Sequence, residues 1–290
     1  MTITEDMIFR IAGVGIQIKM KRDWVYGRRG RFSDFLSVEP PHAIFKIKVG
    51  PLPVEPSGPP VFDTGIGWRL YQVRDRWVVW VESQGHNPYL AGSFSPDYHS
   101  GEIFVSESDQ EPGKFIFPLS YPLGELLMTN LLATGYGIML HSCGVIDGEI
   151  GIAFAGVSTA GKTTTANLWE GLPSARVLSD DHTVLRKMDG EFRVYGTPWH
   201  SRGGYALAQD APLKKIFILK HATSNQAVRL PPAQAAAALL VRMFAPLWSA
   251  AGMAFSLNFL EELCQTVPCY ELGFVPDQSA VEYVRCLSID

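Results

Sequence analysis

The sequence predicts an α/β protein whose first part is rich in β-structure. Two observations carry this reading. From about His141 onward, short apolar runs of strand character alternate with segments of helical spacing. Before Leu119 the apolar pattern is mostly that of strands, interrupted by long loops rich in proline, glycine and polar residues. We therefore divide the chain of 290 residues into a β-rich N-terminal domain, residues 1–119, and an α/β core, residues 120–290.

In the first domain, Ile8–Ile18 and Ala43–Val49 are short apolar or alternating runs, expected as strands. Trp68–Glu82 is rich in Val, Trp and Tyr and is expected to fold back at Arg74-Asp75. Between these, Val49–Pro60 holds five prolines and two glycines, so it reads as an extended loop. A second loop is expected from Ser93 to Gly113, where Ser, Asp, Glu and Pro accumulate. Helical spacing first appears at Pro122–Thr134, through Leu123, Leu126, Leu127, Asn130 and Leu131. In the core, strands are expected at Ser142–Ile146, Gly151–Ala155, Ala175–Ser179, Val184–Lys187, Phe192–Tyr195, Lys214–Leu219 and Cys269–Leu272. Helices are expected at Lys162–Trp169, Ala233–Ala245, Ser256–Cys264 and Gln278–Leu287. No internal repeat is visible.

Composition narrows the class. With 47% apolar and 19% charged residues, the chain can bury a core. Its net charge of −4 gives no general attraction to nucleic acid or membrane, and neither is an expected partner. The basic run Lys19–Arg31, with Trp24 and Tyr26, reads as a solvated hairpin face, with an acidic partner or nucleic acid as the alternative. Cys143, Cys264, Cys269 and Cys286 form no C-x-x-C pair and are expected as thiols in a reducing compartment. The acidic N-terminus lacks the pattern of a signal peptide, and Arg242 and Pro246 interrupt the closest approach to a membrane span, Ala235–Phe255. The expectation is a cytoplasmic protein, with homo-oligomerisation left open.

One motif carries chemistry. Gly156-Val157-Ser158-Thr159-Ala160-Gly161-Lys162-Thr163 matches G-x-x-x-x-G-K-[ST] between a strand-like run and a helix candidate. Glycines let successive backbone N–H groups turn inward onto phosphate oxygens, and the helix adds its positive end. Gly156, Ser158, Thr159, Ala160, Gly161, Lys162, Thr163 and Thr164 are thus the expected nucleotide-binding residues. Lys162 supplies a charge to the phosphates, and Thr163 a hydroxyl to Mg²⁺.

Downstream, Gly171 and Pro173 stop the helix, and a strand leads to Asp180-Asp181. A helix of about nine residues is roughly 13 Å long, so one return brings this pair beside the loop. Adjacent acids on a strand face opposite ways, so they divide the roles. One of Asp180 and Asp181 is expected to help Thr163 hold Mg²⁺, and the other to take a proton from an attacking hydroxyl, the first reading giving the proton to Asp181. Asp147-Gly148 reads as a two-residue hairpin turn. That register pairs Ile146 with Glu149 and His141 with Phe154, setting His141 at the mouth of the loop to assist the acids. A weaker signal is Trp199, His200 and Arg202 in a glycine-flanked loop, where Arg202 can meet a phosphate or carboxylate of the substrate.

Leu140-His141-Ser142-Cys143-Gly144-Val145, then Gly156–Thr165, then Leu178-Ser179-Asp180-Asp181 resemble the HPr kinase/phosphorylase superfamily, whose nucleotide fold is akin to that of phosphoenolpyruvate carboxykinase. The resemblance covers roughly Ser120 to the C-terminus. It implies a P-loop kinase core and the use of ATP and Mg²⁺. It also implies Lys162 and Thr163 on phosphate and metal, Asp180 and Asp181 for metal support and base, and His141 assisting. HPr kinase proper carries a Glu-Val-Arg-Gly-Leu-Gly signature after the acid pair. Here Gly196-Thr197-Pro198-Trp199-His200-Ser201-Arg202-Gly203-Gly204 stands in its place. The expectation is therefore a related kinase acting on a hydroxyl of a peptide, protein or small molecule. The alternative is a nucleotide-binding regulatory module without transfer. A carboxykinase acting on a keto acid would need further metal ligands and a set of arginines that the sequence does not display.

Overall fold

A computed structural model describes residues 4–21, 30–83, 87–106 and 117–287. Most of the basic run Lys19–Arg31 and the end of the Ser93–Gly113 segment lie outside the described residues. The protein is of mixed α/β type with two large sheets. It divides into two compact units, Met1–Leu131 and Leu132–Asp290. The helix Leu123–Leu131 is thus grouped with the first unit, whereas the boundary read from the sequence had placed it in the second.

Unit 1 is built on a sheet of nine described strands. β1 (Thr4–Ile11) and β2 (Val14–Lys21) form a hairpin closed by Ala12-Gly13, both at positive φ, which matches the twist of the paired strands. β3 (Leu36–Ser37) edges β1, and β4 (Ala43–Val49) lies parallel to β2. β4 shows the logic of the sheet. Ala43, Phe45 and Ile47 point to the core, while Ile44, Lys46 and Lys48 point outward. β5 (Phe62–Asp63), β6 (Trp68–Val73) and β7 (Arg76–Glu82) follow, with Arg74-Asp75 making the expected turn. The loop expected from Ser93 to Gly113 is corrected, because β8 (Pro88–Phe94) enters it and β9 (Ser100–Val105) lies within it. Of the polar residues that suggested a loop, Ser100 and Glu102 belong to β9, and Ser95, Pro96 and Asp97 make the turn that precedes it. The proline-rich segment is extended over the outer face, with Glu55 accepting from Tyr71 Oη at 2.6 Å. α1 (Leu123–Leu131) is buried all round.

Unit 2 holds the second, eight-stranded sheet, in which two long strands change partners along their length. β10 (Ile138–Asp147) pairs through Ile138–His141 with β13 (His182–Met188). Through its second half it pairs with β11 (Ile150–Ala155) and with β12 (Ala175–Ser179). β14 (Glu191–Tyr195) continues from β13 to β15 (Asp210–His221), whose far end lies parallel to β11 and to β17 (Cys269–Phe274). A short edge strand, β16 (Gln226–Arg229), completes the sheet.

Alternation along these strands fills two cores. Ile152, Phe154, Phe217 and Leu219 pack under α2 (Lys162–Trp169) and α5 (Gln278–Cys286). Ala153, Ala155, Ile216 and Ile218 pack on the other side under α3 (Pro232–Leu240) and α4 (Ala250–Thr266). Each fully buried Phe or Ile contributes about 1.5–3 kcal/mol, so these two faces fix the register of β11 and β15. No helix among the described residues is long and apolar enough to cross a membrane.

Candidate functional site

β11 ends at the edge of the sheet where the parallel strands β15 and β17 also end, and residues 156–161 curl from there into α2. The turn needs its glycines. Gly161 sits at φ +104°, and a Cβ there would meet the Phe274 ring at 2.7 Å. A Cβ on Gly156 would meet Ala160 at 2.7 Å. His221 Nε2 lies 3.0 Å from the Thr159 carbonyl and pins the crest of the loop. Val157, Ser158 and Thr159 are exposed, while Ala160 is buried beneath them. The N-cap of α2 is Gly161 and makes no side-chain cap. The first N–H groups of the helix are therefore open to an anion.

Lys162 is 6% exposed, and its Nζ donates to the carbonyls of Gly156 and Val157 at 3.1 and 3.2 Å. Burial lowers its pKa, against the opposing pull of Asp181, Cys143 and Asp180. An ammonium held by carbonyls in a buried place is a site prepared for an anion.

The hairpin between β10 and β11 differs from the sequence reading. Asp147 pairs with Ile150, so the turn residues are Gly148-Glu149, with Gly148 at φ +63°. Phe154 consequently faces Cys143, and His141 moves up to the loop itself, its carbonyl accepting from Gly156 N at 3.2 Å.

Asp180 and Asp181 do not lie on a strand as expected. They form the bend between β12 and β13. Both strands run along the same edge of β10, with Ser179 opposite Gly144 and His182 opposite His141. The acids thus sit where β10 changes partner from β12 to β13, and Ser142 N donates to the Asp181 carbonyl at 2.9 Å. They face different ways, as read from the sequence. Asp180 is fully buried and accepts from Thr163 Oγ1 at 3.3 Å, Ser201 N at 3.1 Å and Gly203 N at 3.0 Å. Behind it, burial and then the charge of Asp180 push the Cys143 thiol far up, so this sulfur stays protonated.

Asp181 is clasped by two histidines. His141 Nε2 is 2.9 Å from Oδ1, and His182 Nδ1 is 3.2 Å from Oδ2. Burial opposes its ionisation, but the hydrogen bond to His141 and the close approach of His182 outweigh this and hold the carboxyl well below its usual range. The His182 ring packs on Phe244 with centroids 4.7 Å apart. Phe244 comes from the connection between α3 and α4, where Arg242–Phe244 runs along the free edge of β10 and the Arg242 carbonyl accepts from His141 N at 2.8 Å. The helix expected over Ala233–Ala245 therefore stops at Leu240.

The segment after β14 crosses this site through backbone groups. Trp199 is buried, and its carbonyl accepts from Ser179 and Thr197. His200 and Arg202 are exposed. Tyr205 Oη bonds Asn167 at 3.0 Å and also Glu170, both from the α2 side, which ties the segment over the helix. The structure thus gathers His141, Lys162, Thr163, Asp180 and Asp181 into one place. Trp199 lies in the packing beneath, and His200 and Arg202 on the surface.

Sequence reasoning missed His182, Tyr205 and the amides of Ser201 and Gly203. Only His182 had a local signal, as the neighbour of the acid pair.

The donor set suits a hard cation on one side and phosphate on the other. Thr163 and Asp180 present a hydroxyl and a carboxylate side by side, the oxygen donors that Mg²⁺ prefers.

No family model and no curated protein matches this chain. Among solved structures it has a distant likeness to the Hpr(Ser) kinase/phosphatase from Coxiella burnetii. The likeness covers 51% of this chain and 90% of that one, at 9% identity and a TM-score of 0.26.

Proposed function

We propose that unit 2 is a phosphotransferase that moves the terminal phosphoryl group of ATP to a hydroxyl of a peptide, protein or small molecule. The observation that carries this is the hydrogen bond from Thr163 to Asp180, which joins the anion-ready loop to the acid pair. In this reading the amides of residues 156–161 and the end of α2 hold phosphate oxygens. Lys162 turns from its two carbonyls to the outer phosphates, and Thr163 with Asp180 holds Mg²⁺. When bound, Mg²⁺ supplies neutralisation of the negative charge between donor and acceptor. Asp181 orients the acceptor hydroxyl, and His141 fixes Asp181 and shares the departing proton. A strongly ionised carboxylate is a weak base, but a loose phosphoryl-transfer transition state asks for positioning more than basicity.

The low basicity of Asp181 is also what favours a second reading, a regulatory module that binds nucleotide without transfer. Incubation with γ-labelled ATP, Mg²⁺ and a panel of serine-bearing peptides and small alcohols separates the two. Labelled product that needs Asp181 supports the kinase. Binding of ATP with no transfer to any acceptor supports the module.

A further inference from the structure

The outer face of the unit 1 sheet carries a charge arrangement that the phosphotransfer reading does not use. A cross-strand row runs Lys19, Lys46, Glu102, Ser93 over β2, β4, β9 and β8. Lys19 and Lys46 are direct neighbours in register, a like-charge contact that costs stability. Glu102 lies on the other side of Lys46, yet its carboxylate is 2.9 Å from Lys48. Among the described residues no carboxylate forms an ion pair with Lys46, and Lys19 has only Asp6 at 3.9 Å. Arg76 adds a third cation, held in place by Nε to Ser93 Oγ at 2.7 Å and Nη2 to the Ser93 carbonyl at 2.9 Å. These groups line an open concavity of about 570 Å³ together with Ile44 and Ser100.

The rest of the same face is differently built. Tyr71, Trp80 and Ala91 are covered by Leu52 of the proline-rich segment. A chain of net charge −4 thus keeps three cations together at one concavity of the sheet, with Glu102 as the one carboxylate among the described lining residues.

We propose that this concavity docks an acidic peptide segment. Strands about 4.8 Å apart set Lys19 and Lys46 close enough to share one carboxylate. Arg76 stands ready for a second, and Ser93 and Ser100 offer hydroxyls. Nucleic acid fits the site poorly. None of the described lining residues is aromatic, so no base can stack there. The proposal is independent of the chemistry assigned to unit 2.

Fluorescence anisotropy of a labelled Glu-rich peptide on the full-length protein tests it, with a Lys-rich peptide and oligo(dT) as comparisons. The double variant Lys19→Gln/Lys46→Gln removes the charges and relieves their repulsion, so it should melt no lower than the wild type. Its affinity for the acidic peptide should fall about tenfold, and wild-type binding should weaken as salt rises. Three results would overturn the proposal: no acidic-peptide binding by the wild type, undiminished binding by the double variant, or displacement of the peptide by oligo(dT) at equal concentration.

Discussion

His141 and His182 stand directly opposite one another on antiparallel strands and grip the two oxygens of the same carboxylate, that of Asp181. The arrangement arises because the bend after β12 keeps the register of β10 from Ser179 to His182. Two cross-strand histidines then flank the acid that precedes one of them.

His182 should therefore act on Asp181 by position. Its ring rests on Phe244, so His182→Phe preserves packing while deleting Nδ1. We expect kcat to fall with the KM for ATP nearly unchanged, and His182→Asn, which restores a polar group near Oδ2, to recover part of the loss. A variant that lowers ATP affinity and kcat together would show a merely structural role.

Asp181→Asn should cost turnover and spare binding. Orientation and proton acceptance by one side chain are worth about 10²–10⁴-fold in rate. Single-turnover transfer and equilibrium ATP binding, measured on the same preparation, decide the matter. Transfer at the wild-type rate would remove Asp181 from the reaction.

Lys162→Ala should behave in the opposite way. The ammonium is buried against two carbonyls, and burial already disfavours its charge, so the loss of the charge offsets the loss of those two hydrogen bonds. One charge-assisted phosphate contact is worth about 1.5–3 kcal/mol, so ATP affinity should weaken roughly tenfold to hundredfold. The melting temperature should change little. Unaltered affinity by calorimetry would place the triphosphate elsewhere.

What the sequence made legible was local. The loop 156–163 is a contiguous pattern between a strand and a helix, and its surroundings follow within a few residues. The site is less legible where it depends on pairing at a distance. The turn read at Asp147-Gly148 lies one residue further on, because Gly148 occupies the left-handed position and Glu149 tolerates the second place. α3 ends early although its alanines would continue, since Arg242–Phe244 gains more by pairing with the edge of β10. β9 escaped notice because Ser100, Gly101 and Glu102 break its apolar run, and β16 because it is only four residues long.

Tyr205 offers a spectroscopic handle on the segment over α2. Burial, then the hydrogen bond and charge of Glu170, raise its pKa to about 12. A phenol whose folded pKa is raised contributes stability that is complete below its unfolded value, about 10, and is lost as the pH rises through the folded one. In an alkaline absorbance titration, Tyr205→Phe should remove one late-titrating phenol. Its stability should be lower than wild type at neutral pH, and the gap should close above about pH 12. A titration curve that loses an early phenol instead would contradict the contact with Glu170.

Gly203 lies where the segment over α2 meets Asp180, the carboxylate proposed to hold the cation. Its N–H donates to Asp180, and a Cβ there would come within 2.6 Å of Asp180 Oδ2 and 2.8 Å of the Tyr205 ring. Neither neighbour can yield freely. Asp180 is fully buried and also bonded to Ser201 and Thr163, and Tyr205 is tied to Asn167 and Glu170. Gly203→Ala must therefore turn the carboxylate away from Thr163 or lift the segment from it. Partners that orient a metal-binding carboxylate are worth about 10–100-fold in metal affinity. Titrating Mn²⁺ into the protein, with free Mn²⁺ read by electron paramagnetic resonance, should show a loss of that size in the variant, with or without nucleotide. Mn²⁺ bound equally well by Gly203→Ala and wild type would mean that Asp180 is not the carboxylate that holds the cation.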